Sequence, residues 1–321
     1  MTPKSPAPTT LSAPVAPTVT LTATSWLMLL ALATLWGGSF FWAEVALREV
    51  GPLTIVLFRV ALAVPALALI IRIKRLAVPR SLRLWGAWLV MGALNNAIPF
   101  SLIVWGQTRV TGGTASILNA TTAVFGAVVA GVLLRDERLN APKLLGAAFG
   151  ALGVGVMLGP EALSGLDPRS AAQLAILGAA FSYALASVWG RLTLRHTLPE
   201  VNALGMVSCA VLWMLPIALI GEGVPSFNYS APVWGALFGL AWLATATAYL
   251  LYFAILRRAG AANLMLVTLL IPPVAAGFDW AFLGERLATS AWVGFLCIAL
   301  GLAVSDGRLL RRLWPARAPG R

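Results

Sequence analysis

Ten runs of about twenty mostly apolar residues, parted by short polar or basic breaks, fill nearly all of this chain between residues 26 and 307. Such a run crosses the roughly 30 Å hydrocarbon core of a bilayer as a helix, because hydrocarbon offers no partner to a free backbone N–H or C=O. The expected fold is an all-α polytopic membrane protein with ten transmembrane helices near 26–47, 52–72, 82–108, 112–134, 140–159, 170–194, 199–221, 231–256, 260–283 and 289–307. Helix-start and helix-stop chemistry marks several junctions, among them Gly51-Pro52, Asn140 to Pro142 and Leu198-Pro199.

Composition narrows the function classes. With 60% hydrophobic residues, 11% charged and thirteen tryptophans, the chain has too little polar surface for a water-soluble domain. A net charge of +12 would suggest nucleic acid if it formed one patch, but the Lys and Arg sit in clusters between apolar runs, so no nucleic-acid partner is expected and the lipid bilayer is. Cys209 and Cys297 lie inside apolar runs and His196 is the sole histidine, so neither a disulfide framework, a metal centre nor a cofactor is expected. An enzyme is not expected either: there is no H-E-x-x-H, no paired intramembrane Asp and no Ser/His pair.

Residues 1–24, rich in Pro, Thr and Ala, read as a disordered cytoplasmic tail, 160–169 as a linker and 308–321 as a basic cytoplasmic tail. The first run lacks a small-residue cleavage site and reads as a retained span rather than a signal peptide. With both termini inside, only Arg48, Arg109, Arg169 and Arg286 fall outside, Arg59 lies within a span, and every other Lys and Arg is cytoplasmic. This is the topology expected of a bacterial-type inner membrane.

The chain also repeats itself. Residues 106–159 align without a gap on 254–307, matching Arg109 with Arg257, Gly112 with Gly260, Leu118 with Leu266, Glu137-Arg138-Leu139 with Glu285-Arg286-Leu287, Gly146 with Gly294 and Gly153 with Gly301. Further upstream, "LWGA" at 84–87 matches "VWGA" at 233–236, and Trp42 matches Trp189. The membrane region is therefore two five-helix repeats, 25–159 and 170–307. Because five is odd, the second enters the membrane upside down, an inverted-topology construction recurrent in secondary transporters. The Glu-Arg-Leu triplets precede candidate N-caps at Asn140 and at Thr289 or Ser290, and read first as tight interfacial helix turns rather than substrate contacts.

These features resemble the EamA-type branch of the drug/metabolite transporter superfamily across residues 25–307. "LWGGSFFWAEVAL", "LFRVALA" and "GTASILNATTAVF" followed by "RDERL" are similar to that family's pattern. Members often carry a proline in the fourth helix of each half; here the ninth run has Pro272-Pro273 and the fourth reads "TTAVF". The resemblance implies alternating-access export of a small molecule, with amino acids, aromatic ones included, as the leading substrate and cationic drugs or other metabolites as the alternative. A passive channel or structural membrane protein also stays open, and oligomeric state is left undetermined.

Polar residues deep in apolar runs face a cavity or another helix. The candidate substrate-binding set is Trp36, Ser39, Asn95, Asn96, Trp105, Gln107, Asn119, Thr122, Tyr183, Ser187, Tyr249, Tyr252 and Thr268. An uncharged polar and aromatic lining of this kind suits the ammonium, carboxylate and side chain of an amino acid; the competing reading is interhelical hydrogen bonds and interfacial aromatic belts. Pro99 and Pro272 are candidate gating bends, or tolerated kinks. Glu44 and Arg59 are candidates for coupling and for pairing with each other, and Asp279 for a proton-linked or mouth carboxylate. The glycines from Gly146 to Gly159 are expected to serve close helix packing.

Overall fold

The computed structural model describes residues 22–134, 141–158 and 168–305, and these are helical apart from short connections, with no strand among them. The tails expected at 1–24 and 308–321, the 160–169 linker and the first Glu-Arg-Leu triplet lie wholly or largely outside the described residues. In chain order the helices are α1 (Ala23–Leu47), α2 (Pro52–Ile73), α3 (Leu82–Gly106), α4 (Gly112–Leu133) and α5 (Ala141–Leu158). They continue with α6 (Pro168–Thr193), α7 (Pro199–Glu222), α8 (Ala231–Gly260), α9 (Val267–Leu283) and α10 (Thr289–Ser305).

Every apolar run is thus a helix, but length and apolarity qualify seven of them as membrane spans among the described residues, against the ten expected. Helices α5, α9 and α10 are apolar but shorter, about 26 Å at 1.5 Å per residue against a core of roughly 30 Å. Large apolar side chains such as Leu69, Ile73, Ile220 and Phe282 point outward, as lipid-facing residues do.

Local chemistry fixes the helix starts. Pro52 and Pro199 open α2 and α7, where a missing N–H costs nothing. Thr22 and Thr111 cap α1 and α4, each hydroxyl accepting an N–H from three residues on, Ser25 at 3.2 Å and Thr114 at 3.3 Å. Helix α2 has glycine at its N-cap, and its acceptors come from another helix: the Glu222 carboxylate at the end of α7 accepts the Leu53 and Thr54 N–H groups at 2.9 and 2.8 Å. At the other ends of the same two helices, Lys74 Nζ lies 3.0 Å from Glu200. Helices α2 and α7 therefore run antiparallel.

A second antiparallel pair, α5 and α10, meets through glycine. A Cβ added to Gly153 would stand 2.6 Å from the Gly294 carbonyl oxygen, and one added to Gly301 would stand 2.6 Å from that of Gly146. Since Gly146 aligns with Gly294 and Gly153 with Gly301, each contact is the other's mirror across a local twofold.

The apolar interior falls into two main clusters that share α1, α3 and α8, and Tyr183 on α6 packs against both. Both third helices are widened into π-helix at corresponding places, Ala93–Ala97 in α3 and Gly239–Thr247 in α8. In α3 the widening immediately precedes Pro99, whose ring would otherwise meet the carbonyl one turn back.

The glycine contacts give a prediction. Gly153→Val forces the α5–α10 backbones apart and is expected to destabilise the folded protein by about 1–3 kcal/mol. Gly155→Ala, with nothing within 4 Å of its new methyl, should leave stability unchanged. Thermal unfolding of both variants in detergent checks this.

Candidate functional site

A polar ladder crosses the centre of the bundle between α3 and α8. Tyr249 Oη donates to Asn96 Oδ1 at 2.8 Å and accepts from Asn95 Nδ2 at 3.1 Å. One turn along each helix, Phe100 on α3 and Thr245 on α8 both meet Arg59 from α2: its Nε donates to Thr245 Oγ1 at 3.0 Å, and its guanidinium carbon lies 3.6 Å over the Phe100 ring. Thr245 in turn donates to Leu240 O at 2.8 Å across the π-helical stretch. Tyr249 thus bridges to Asn95 and Asn96, and four residues along each helix Phe100 and Thr245 are bridged by Arg59, which closes one end of the ladder.

The electrostatics of this ladder are unusual. Arg59 is buried, 8% exposed, and among the described residues no carboxylate pairs with it. The expected Glu44–Arg59 pair does not form: Glu44 sits at the far end of α1, where its Oε1 accepts the Gly112 N–H at 2.7 Å. The face of α2 carrying Arg59 turns to α3 and α8, and a cation over an aromatic face is stabilised without a counter-ion. Asn96 is fully buried, with its Nδ2 unpartnered, and the buried Asn119 Oδ1 on α4 has no partner either.

Aromatic rings continue from the ladder. Tyr249 lies 6.5 Å from Phe253, Phe253 packs edge-on to Tyr252 at 5.2 Å, and Tyr252 lies 5.8 Å from Trp36 on α1. Of the candidate set, the structure thus brings together Asn95, Asn96 and Tyr249, with Tyr252 and Trp36 alongside. The hydroxyls of Ser39, Thr122, Ser187 and Thr268 bond carbonyls of their own helices at 2.6–2.7 Å. Ser187 and Trp105 are exposed, and Trp105 lines a separate pocket of about 470 Å³ beside Pro52 and Glu222. Pro99 and Pro272 are buried within their helices. Helix α4, without a proline, stays right-handed helical through Thr121, two residues after Asn119, where the Thr121 hydroxyl bonds Leu118 O at 2.6 Å.

Gln107 and Asp279 belong to another place. Asp279 accepts the Gly113 N–H, so the N-terminus of α4 carries two carboxylates, Glu44 and Asp279. Gly284, with φ of +71°, reverses the chain after α9 and brings in Glu285, whose N–H bonds Asp279 O at 3.2 Å. Gln107 donates to Phe40 O at 2.9 Å from the same pocket.

A profile described as the EamA-like transporter family matches residues 24–159 and again 170–305. The chain belongs to that family. It is thus a multi-pass membrane protein and a transporter rather than an enzyme, with a small-molecule substrate. Among its relatives, "Uncharacterized transporter YoaV" of Bacillus subtilis is 26% identical over 88% of this chain and 97% of its own. A "Probable amino-acid metabolite efflux pump" of Escherichia coli is 27% identical over 86% of this chain and 92% of its own. A solved protein crystal structure, 18% identical, superposes with a TM-score of 0.65 over 91% of this chain and 99% of that one, and so shares the fold.

Residues missing from the sequence-based site set include Phe100, which touches Arg59, and Glu285, Glu200 and Glu222 at helix ends. Glu200 did carry a signal, since it follows Pro199 in a first helical turn, where a carboxylate is favoured. Phe100 carried none.

The ladder predicts that Tyr249→Phe, which deletes the hydroxyl joining Asn95 to Asn96, leaves both amides short of a partner and lowers stability by about 1–3 kcal/mol. Tyr252→Phe deletes a hydroxyl outside the ladder and should cost less; detergent melting curves of the two variants compare them.

Proposed function

We propose that this protein is a secondary carrier that exports small metabolites, foremost amino acids, aromatic ones included, across a bacterial-type inner membrane by alternating access. In this reading all ten apolar helices cross the bilayer as two inverted five-helix halves, 25–159 and 170–307, joined by the 160–169 segment. Both termini are cytoplasmic. Opposed directions of α2 and α7 support the inversion. Arg72, Lys74, Arg75, Arg80, Arg191, Arg195, Arg257 and Arg258 gather at the end marked by Glu200, while Arg48, Arg109 and Arg286 mark the other, the asymmetry expected of a cytoplasmic and an outer face.

The observation that carries the substrate reading is the buried, carboxylate-free Arg59 between helices of the two halves. A guanidinium held in a dry interior is a receptor for a carboxylate, and it repels a cation, which favours an amino acid over a cationic drug. The unpartnered Asn119 Oδ1 offers an acceptor for the ammonium, and Trp36 with Tyr252 a surface for the side chain. The names of the efflux-pump relatives point the same way.

Labelled amino-acid uptake into proteoliposomes tests it, with each amino acid and its carboxamide as competitors. Saturable flux is expected, with amides at least tenfold weaker as competitors, since a lost charged hydrogen bond costs about 1.5–3 kcal/mol. Arg59→Met should reduce flux at least tenfold while remaining folded. Equal competition by acids and amides overturns the role given to Arg59, and flux that never saturates overturns the carrier.

A further inference from the structure

The carboxylates at the start of α4 have more capacity than helix capping needs. One carboxylate oxygen from each of Glu44, Asp279 and Glu285 lies within 4.8 Å of the other two. The Gly112 and Gly113 N–H groups engage one oxygen of Glu44 and one of Asp279. The second oxygens, Glu44 Oε2 and Asp279 Oδ1, are buried with no partner, and so is Glu285 Oε2. Among the described residues, no ion pair involves any of the three. Ionised together, three carboxylates so close in a partly dry site would repel one another by several kcal/mol, and half a unit of positive charge at a helix N-terminus would offset only part of that.

An independent feature points to what completes the cluster. Gln107, on α3 and only 7% exposed, lines the same pocket of about 450 Å³ as Glu44 and Glu285. Its Nε2 is fixed by Phe40 O, and its buried carbonyl oxygen Oε1 is left without a partner. A carboxamide oxygen without a donor, on a residue that shares its pocket with Glu44 and Glu285, adds one more free acceptor to the unpartnered carboxylate oxygens.

We propose that Glu44, Asp279, Glu285 and Gln107 form a binding site for a hard divalent cation of the calcium class, reached through this pocket. Oxygen-only ligands, two or three of them carboxylates, are the donor set such ions prefer. Three carboxylate oxygens all within 4.8 Å of one another can converge on one ion at the roughly 2.3–2.6 Å calcium–oxygen distance, whereas magnesium demands near-ideal octahedral geometry and gives up its waters reluctantly, which suits an all-protein oxygen cluster less. The two capping N–H groups fix the first two carboxylates, leaving Glu285, on the turn after α9, as the ligand that closes the site. Such an ion would tie α1, the end of α3, α9 and the α9–α10 connection together at one end of the bundle, against the N-terminus of α4.

Calorimetric titration of the purified, detergent-solubilised protein with calcium chloride tests this without any transport assay, so its outcome is separate from that of the substrate reading. One saturable site is expected, with a dissociation constant on the order of 10⁻⁴–10⁻³ M as in extracellular calcium modules, together with a calcium-dependent rise in Tm. Magnesium should bind at least tenfold more weakly. Glu285→Gln, which removes a ligand but no helix cap, should weaken calcium at least tenfold while its Tm without calcium stays at or above that of the parent, because a like charge is gone. Absence of saturable binding and of a Tm shift in monodisperse parent protein overturns the proposal, as does unchanged calcium affinity in Glu285→Gln.

Discussion

The start of a helix exposes N–H groups that an apolar medium cannot satisfy, and in this bundle carboxylates from other segments satisfy them. Glu222 at the end of α7 serves α2, Glu44 at the end of α1 and Asp279 in α9 serve α4, and Glu49 beyond α1 accepts the Ser230 N–H at 2.8 Å before α8. The last contact, with the Ser230 hydroxyl and N–H both facing the carboxyl, holds Glu49 below its usual carboxylate range. All these caps lie at one end of the bundle. They fix how far each helix reaches toward that end, and they make it the acidic one. At the opposite end Glu200 accepts from both Lys74 and Arg257 and joins the two repeats.

Given those anchors, the middle of the bundle can depart from ideal helix. The two π-helical stretches occupy matching places in α3 and α8, and the polar ladder is built from them and from the turn that follows each. A π-turn leaves carbonyls out of the regular ladder and shifts the face a helix presents. Asn95 and Asn96 lie within one such stretch and Thr245 within the other. The departure that accommodates Pro99 thus presents the two amides to Tyr249, and the matching one in α8 presents the Thr245 hydroxyl to Arg59.

Much of this was legible in the sequence. Apolar runs, Pro52 and Pro199, the glycines of α5 and α10 and the internal repeat all act locally or through composition, and each has its counterpart in the structure. What was not legible is helix rotation. Where a helix is apolar all round, no stripe tells which side meets its neighbours, so Trp105, which lines a separate pocket, and Ser187, which is exposed, were grouped with Asn96. Arg59 and Glu44 were candidates for a pair, yet their side chains leave α2 and α1 toward different neighbours. Glu222 and Glu285 owe their roles to partners more than 150 residues away in sequence or across a glycine turn, and nothing beside them in the chain announces it.

The mirrored glycine contacts of α5 and α10 carry a further consequence. If the two repeats were identical, exchanging their conformations would convert one orientation of the bundle into the other at equal energy, and each would be occupied half the time. The repeats have diverged: Pro272-Pro273 stands in one, Asn95-Asn96 and Arg59 in the other. Every such difference contributes to an energy gap between the orientations, and about 1.4 kcal/mol already shifts the balance tenfold. Under the alternating access proposed above, the resting preference of the carrier for one side of the membrane would be written in the positions where its halves disagree.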